Sequence, residues 1–285
     1  MDSHVWRQVY QAIRLADRRI PRFGRRPKYS DVLIVAMYVW SVAHDRPLCW
    51  AANRDNHGGC FRPRKLPSNS QFCRRIKTER CARILQSVHE QMVHFEWSQE
   101  LSFIDGRALL VGANSKDPDA RPGRAPGGFG RGYKLHVWAA KDGRIPVWSV
   151  TPLNANEKPV AHEMLRYRTA EELVLADSQY DSRALYDAVA HDGGFLLTPV
   201  PRNAGKGHSA QSMSRNAAIL AWNGIAGYVY KERGGVERIF AHISAFGGGL
   251  AGLAPWVRTI LRVRRWVGTK LIIYHARWNL RKQVA

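Results

Sequence analysis

Two short apolar segments, each followed by an aspartate, place the strongest constraint on how this chain can fold. Leu101 to Ile104 precedes Asp105, and Leu173 to Ala176 precedes Asp177. Apolar runs of this length are typical of buried strands. A lone aspartate after a strand usually caps a helix or forms a turn. Two such strands lying side by side would instead bring both carboxylates to one point of a sheet, where ligands bind in open α/β folds.

The two carboxylates would need a positive partner if they met. Anions a few ångströms apart repel each other, and a divalent cation neutralises them. Carboxylate oxygens favour Mg²⁺ or Mn²⁺ over zinc as the bound ion. We therefore expect metal-dependent chemistry if the strands of Asp105 and Asp177 are neighbours.

A third acid, Glu237, follows Tyr230 and Arg233 at helical spacing. A continuous helix would place these three side chains on one face, where Glu237 could complete a metal site. The alternative is a surface ion pair between Arg233 and Glu237. Gly234 and Gly235 also disfavour a helix interior at this point, since each glycine costs about 1 kcal/mol there.

The charge balance indicates a polyanionic partner. The 285 residues include 44 Lys and Arg against 23 Asp and Glu, which gives a net charge of +21. This excess favours nucleic acid, with a basic membrane-surface protein as the alternative. The apolar run from Val32 to Ala43 is too short to span a bilayer. Because the first residues also lack a signal-peptide pattern, the sequence predicts a cytoplasmic protein.

Hydrophobic periodicity divides the chain near residue 99. Residues 1–98 read as an all-helical domain, and the basic residues at its turns and helix faces suit DNA binding or, alternatively, a solvated surface. Residues 99–285 read as an α/β domain with a partly antiparallel sheet. Within it, Asp142-Gly143 predicts a hairpin between two strands, and residues 199–228 predict a mobile loop or short insertion.

Basic and aromatic side chains cluster in several other segments. The Gly-, Pro- and Arg-rich stretch from Lys116 to Gly132 predicts a cationic loop that could fold onto phosphates, or a plain surface loop. Near the C-terminus, Trp256 and Trp266 alternate with arginines. These tryptophans could stack on an unpaired base, although packing in a core is the alternative.

The four cysteines all lie in the first third of the chain and form no Cys-x-x-Cys pair. His57 and Cys60 could begin a zinc site, but the remaining spacings do not repeat. We therefore expect reduced thiols.

Five segments in order resemble the DDE transposases of bacterial insertion sequences, in the branch with a Tyr-x2-Arg-x3-Glu-x6-Lys signature. The segments are Leu66–Ser70, Phe103–Gly106, Gly132–His136, Ala176–Ser182 and Val236–Phe240. The resemblance covers most of the chain. It implies a ribonuclease-H-like catalytic domain, with a mixed five-stranded sheet and flanking helices, after the helical N-terminal domain.

The resemblance also implies a function and a set of site residues. Asp105, Asp177 and Glu237 would be catalytic and would hold two Mg²⁺ or Mn²⁺ ions for an in-line phosphoryl displacement. The implied reactions are strand cleavage at the element's ends and joining to target DNA. Partners would be double-stranded DNA, including terminal inverted repeats, and a second protomer, in a nucleoid-associated homodimer. The predicted DNA contacts are Tyr230, Arg233, Arg238, Arg121, Arg124, Arg131, Lys134, Arg74 and Arg75.

The chain departs from the signature at one position. The signature lysine falls at Ser244. Arg238 or Lys231 could supply the missing charge. The alternative function is therefore a catalytically inactive or repurposed transposase that binds DNA without cutting it.

Overall fold

The computed structural model describes residues 1–25, 27–93, 101–167, 172–199 and 212–284. The chain forms two compact units, Met1–His94 together with Ile243–Ala285, and Phe95–His242. The predicted boundary near residue 98 falls outside the described residues. The C-terminal segment, which the sequence-based division placed with the sheet, groups with the N-terminal helices instead.

The first unit is helical. Its helices are α1 (Ser3–Arg19), α2 (Asp31–Ala43), α3 (Leu48–Ala51), α4 (Asn69–Arg75), α5 (Glu79–Val93) and α11 (Ile260–Val284), numbered along the whole chain. Two of these helices begin at serine caps: Ser30 caps α2 by accepting the Leu33 N–H, and Ser68 forms a capping box with Gln71. The α11 helix packs against α1, α2 and α5. Burial of Val263, Val267 and Leu271 on α11 explains why the C-terminal segment belongs to this unit.

Two buried polar centres hold the helical unit together. Asp31, which is 3% exposed, accepts hydrogen bonds from Arg22, Arg75 and Arg80. Lys270 is fully buried, and its ammonium donates to the carbonyl oxygens of Val42 and Gly248 and to the carboxylate of Asp45. These bonds satisfy charges that would otherwise be costly to bury.

The second unit contains a mixed sheet and the helices that flank it. Its strands are β1 (Leu101–Leu110), β2 (Arg121–Ala125), β3 (Gly128–Ala140), β4 (Val147–Pro152), β5 (Leu173–Ala176) and β6 (Phe195–Leu197). Its helices are α6 (Glu157–Leu165), α7 (Arg183–His191), α8 (Met213–Ala221), α9 (Gly227–Val229) and α10 (Gly234–Ser244), the last of which runs two residues past the unit boundary. A 3₁₀ turn, Tyr230–Arg233, precedes α10.

The sheet confirms the predicted mixed architecture. Strand β3 is antiparallel to β1, β2 and β4, whereas β1, β5 and β6 are parallel to one another. Within the described ranges the sheet has six strands rather than the predicted five. Strands β2 and β4 pair with successive parts of β3, residues 128–132 and 133–138, so the sheet has five strand positions. The predicted hairpin at Asp142-Gly143 corresponds to the β3–β4 connection.

The prediction of a loop from Lys116 to Gly132 was wrong over its second half, where β2 and β3 form a hairpin. Gly123 and Gly132 avoid collisions within the sheet. A Cβ atom on Gly132 would lie 2.3 Å from the Leu109 carbonyl oxygen, and one on Gly123 would lie 2.8 Å from the Leu153 carbonyl oxygen. Composition alone suggested a loop because glycine is generally depleted in strands.

The predicted loop or insertion at residues 199–228 lies partly outside the described residues, at 200–211. The rest is largely helical, and α8 packs against α7 and β6. Across the described ranges, no helix is both long and apolar enough to cross a membrane.

Candidate active site

Asp105 and Asp177 lie on neighbouring parallel strands. Ile104 pairs with Ala176 in the β1–β5 ladder, so the aspartate that follows each residue lies beside the other. Asp177 directly follows β5 and caps a short 3₁₀ turn by accepting the Gln179 N–H. The sequence suggested that Asp105 follows the end of its strand. Asp105 lies within β1 instead, because β1 stays paired with β3 as far as Leu110.

Arg233 contacts both carboxylates. Its Nη2 atom lies 3.1 Å from Oδ2 of Asp105 and 3.9 Å from Oδ2 of Asp177. One guanidinium therefore supplies positive charge to both acids. Its Nε atom is buried and has no hydrogen-bond partner among the described residues. The spacing of Arg233 had predicted a DNA contact, and the structure adds this contact with the acid pair.

Burial makes the negative charge of the two aspartates costly. The pKa of Asp105 is raised to about 6, mainly by desolvation and also by the negative charges of Asp177 and Glu157, while Arg233 and the Gly106 N–H act in the opposite direction. Burial also raises the pKa of Asp177. Partly desolvated acids of this kind gain most from a nearby cation.

The segment that carries Arg233 is fixed to the sheet at three points. The Tyr230 hydroxyl donates to the carbonyl oxygen of Ala176, the residue before Asp177, at 3.1 Å. A Cβ atom on Gly235 would lie 3.0 Å from the Phe103 ring, so glycine permits a close approach between α10 and β1. Arg107 of β1 donates to the carbonyl oxygen of Phe240 at 3.0 Å. Gly234 and Gly235 lie at the start of α10 and not in its interior, so the cost of glycine inside a helix does not apply here.

The structure does not place Glu237 in contact with the aspartate pair. Glu237 lies in the first turn of α10 and its side chain is exposed. A 3₁₀ turn ends at Arg233, so the residues from Tyr230 to Glu237 do not form the single α-helix that the spacing predicted. Across the described ranges, no group of three or more His, Cys, Asp or Glu side chains is arranged to hold a metal ion. This includes the zinc site that His57 and Cys60 could have begun.

Glu157 is an acid near the pair that sequence reasoning missed. It begins α6, after the Asn156 cap, and its carboxylate pairs with Lys134 of β3. Its negative charge raises the pKa values of Asp105, Asp177 and the buried Tyr180. The sequence signal was an acid directly after a helix cap, which is common and carries no functional information by itself.

The other predicted DNA contacts fall into two groups. Some have partners within their own unit: Arg131 donates to the carbonyl oxygens of Asp117 and Ala120, Lys134 pairs with Glu157, and Arg75 pairs with Asp31. The remaining four are exposed, namely Arg74, Arg121, Arg124 and Arg238. Arg121 and Arg124 extend from the β2–β3 hairpin, where Phe129 is 84% exposed.

Residues 96–252, more than half of the chain, match the sequence profile of the family described as Transposase DDE domain. The chain belongs to the DDE transposase family. Its enzymatic class is therefore DNA transposase, and the predicted membership of the DDE transposases is confirmed. No curated protein sequence matches this transposase significantly. Among solved structures it is similar to the piggyBac transposase in a cryo-EM synaptic complex with hairpin DNA, with 10% identity and a TM-score of 0.48 over 98% of this chain and 73% of that one.

Transposases of this family generally use divalent metal ions, and the two aspartates of this transposase fit such an ion. A cationic group already lies within 4 Å of both carboxylates, in the form of the Arg233 guanidinium. Mg²⁺ is commonly bound by one or two carboxylates together with water and substrate phosphate, so two aspartates provide an adequate protein contribution.

Proposed function

We propose that this transposase cleaves DNA at the ends of an insertion sequence and joins the cut ends to target DNA, using Asp105 and Asp177 as metal ligands. The observation that carries the proposal is the β1–β5 register, with Ile104 opposite Ala176, which sets the two acids side by side. We further propose two Mg²⁺ or Mn²⁺ ions per site, with Glu237 as the third ligand. Glu237 follows Arg233, which contacts both acids, by four residues.

The bound ions would polarise the scissile phosphate and promote deprotonation of the attacking hydroxyl. The protein residues bind and orient the DNA around that phosphate. Bound metal would replace the positive charge that Arg233 supplies to the aspartates, which frees the guanidinium for a phosphate oxygen. Tyr230 holds this segment against the end of β5 through its bond to Ala176. Arg233 would thus neutralise the acids before DNA binds and contact phosphate afterwards.

Exposed cations would position the duplex. Arg121 and Arg124 on the β2–β3 hairpin, Arg238 on α10 and Arg74 on α4 are free to reach phosphates, and the net charge of +21 supports this role. Phosphate contacts by several cations make binding strongly dependent on salt. Because joining requires two ends at once, we propose a homodimer on DNA, acting at the bacterial nucleoid.

The test uses DNA that carries the inverted repeats flanking this reading frame. We expect strand cleavage at the repeat ends in Mg²⁺ or Mn²⁺ and no cleavage when EDTA removes the metal. DNA binding that survives chelation, with no cleaved product under any metal condition, would refute the proposed reaction. That result would instead identify an inactive transposase that still binds DNA.

A further inference from the structure

The helical unit contains a cavity that is both aromatic and strongly basic. Its volume is about 240 Å³, and Tyr38 and Trp266 form part of its wall together with Trp256, which is 38% exposed. The volume is below the roughly 300–1,000 Å³ of cavities that hold drug-sized ligands. The cavity therefore suits a small planar group better than a larger ligand.

The charges around this cavity are all positive. Arg46, Lys77, Arg262 and Arg265 line it, and the described lining residues include no Asp or Glu. Arg46, Lys77 and Arg262 are exposed, so their charged groups are accessible to a ligand from solvent. A planar group that carries phosphates would match this combination of aromatic wall and cationic rim.

Trp266 forms a buried part of the wall. The residue is 2% exposed, and its indole N–H has no hydrogen-bond partner among the described residues. One side of its ring system contacts the Lys270 ammonium, which lies 4.9 Å from the ring centroid.

The neighbouring turn holds Trp256 beside the cavity. Arg258 fixes this turn by donating to the carbonyl oxygens of Ala254 and Val257. The Trp256 and Trp266 rings meet edge to face, with centroids 6.5 Å apart. Because Trp256 is partly exposed and positioned by its backbone, it can present a ring face to an incoming base.

We propose that this cavity binds one unpaired DNA base, stacked on Trp256, with its flanking phosphates held by the four cations. This proposal rests on DNA being the substrate, and it adds recognition of an unpaired nucleotide by residues outside the proposed catalytic set. Stacking on an aromatic side chain depends little on base identity, so the cavity should accept any sequence.

The test is a binding titration in EDTA with two short duplexes of the same sequence. One contains a single unopposed 2-aminopurine, and in the other the same base is paired. We expect tighter binding of the unopposed base and quenching of its fluorescence by the indole. Trp256→Ala should reduce that preference by roughly 5- to 150-fold, the equivalent of ~1–3 kcal/mol for one stacked base, and Trp256→Phe should restore part of it.

The matched control is Arg281→Ala, on the same helix as Arg262 but not among the residues that line the cavity. Arg262→Ala should weaken binding of the unopposed base more than Arg281→Ala does. Equal affinity for the two duplexes, or an unchanged preference in Trp256→Ala, would overturn the proposal. Since no metal is present, failure here leaves the cleavage result unaffected, and loss of cleavage alone leaves the cavity assignment standing.

Discussion

Nη2 of Arg233 lies 3.1 Å from Oδ2 of Asp105, although the two residues are 128 positions apart in the sequence. The same nitrogen lies 3.9 Å from Asp177. The arginine thus provides the positive charge that two partly buried acids require, in a family that generally uses divalent metal ions. We therefore expect metal ions to compete with Arg233 for the two carboxylates.

Close packing between α10 and β1 should depend on Gly235. A Cβ atom there would lie 3.0 Å from two ring carbons of Phe103, which is 1% exposed and has little room to move. We expect Gly235→Ala to lower the free energy of unfolding by about 1–3 kcal/mol and to slow cleavage, because α10 must shift away from the sheet. Thermal denaturation and a cleavage assay would measure both effects.

Gly234→Ala is the control for that change. The nearest atom to a Cβ atom at Gly234 is Nη1 of Arg238, 4.0 Å away at the end of a flexible side chain. Alanine here should be neutral or should stabilise by up to about 1 kcal/mol through helix propensity. Equal destabilisation by the two substitutions would argue against a specific contact with Phe103.

Asp105 should make stability depend on pH in a defined direction. Its pKa is about 6 in the folded chain against 3.8 for a free carboxyl, so the folded state retains the proton more strongly. Between about pH 4 and pH 6 the unfolded state loses this proton first, and stability therefore falls as pH rises through that window. The contribution is on the order of 2–3 kcal/mol without metal.

Denaturant titrations across this pH range would measure that effect. Asp105→Asn removes the titrating group and should flatten the decline without altering the rest of the profile. Saturating Mg²⁺ should also reduce the decline, since metal binds and stabilises the ionised form. A wild-type profile that coincides with that of Asp105→Asn would contradict the assigned shift.

Glu237 and Glu157 should differ in their effect on catalysis. We expect Glu237→Gln to reduce cleavage by more than about 100-fold, as a metal ligand would. Glu157→Gln should reduce cleavage by about 10- to 100-fold, in the range of residues that support metal ligands. It should also lower the apparent pKa of the pH–rate profile, because it removes a negative charge that raises the pKa of Asp105. The opposite order of effects would transfer the ligand role to Glu157.

Alanine substitutions at Arg74 and Arg75 should affect different properties: DNA binding for Arg74 and stability for Arg75. Arg75 pairs with Asp31, which is 3% exposed, whereas Arg74 is exposed. We expect Arg75→Ala to destabilise the chain by about 1–3 kcal/mol by removing one partner of a buried carboxylate. Arg74→Ala should leave stability unchanged and reduce the slope of log affinity against log salt by about 1. A salt slope unaffected by Arg74→Ala would remove this arginine from the proposed DNA contacts.

The sequence was sufficient to predict the two strands that carry Asp105 and Asp177, because short apolar runs have few alternatives in a buried sheet. It failed at β2, where glycines required by close packing resembled loop composition. It also missed Glu157, whose approach to the acids depends on how α6 packs against β3. Spacing predicted that Tyr230, Arg233 and Glu237 share one helix face. Arg233 ends a 3₁₀ turn instead, and residue spacing alone does not distinguish that turn from an α-helix.

The most direct test of the proposed metal site is to measure metal-dependent cleavage by the Asp105→Asn and Asp177→Asn variants. The substrate is DNA carrying the repeats that flank the reading frame, and Asp192→Asn, at an exposed acid after α7, is the control. We expect both active-site variants to fold and bind this DNA but to release no product above the metal-free background, while the control cleaves like wild type. Cleavage at the wild-type rate by either active-site variant would show that the paired aspartates do not form the catalytic metal site.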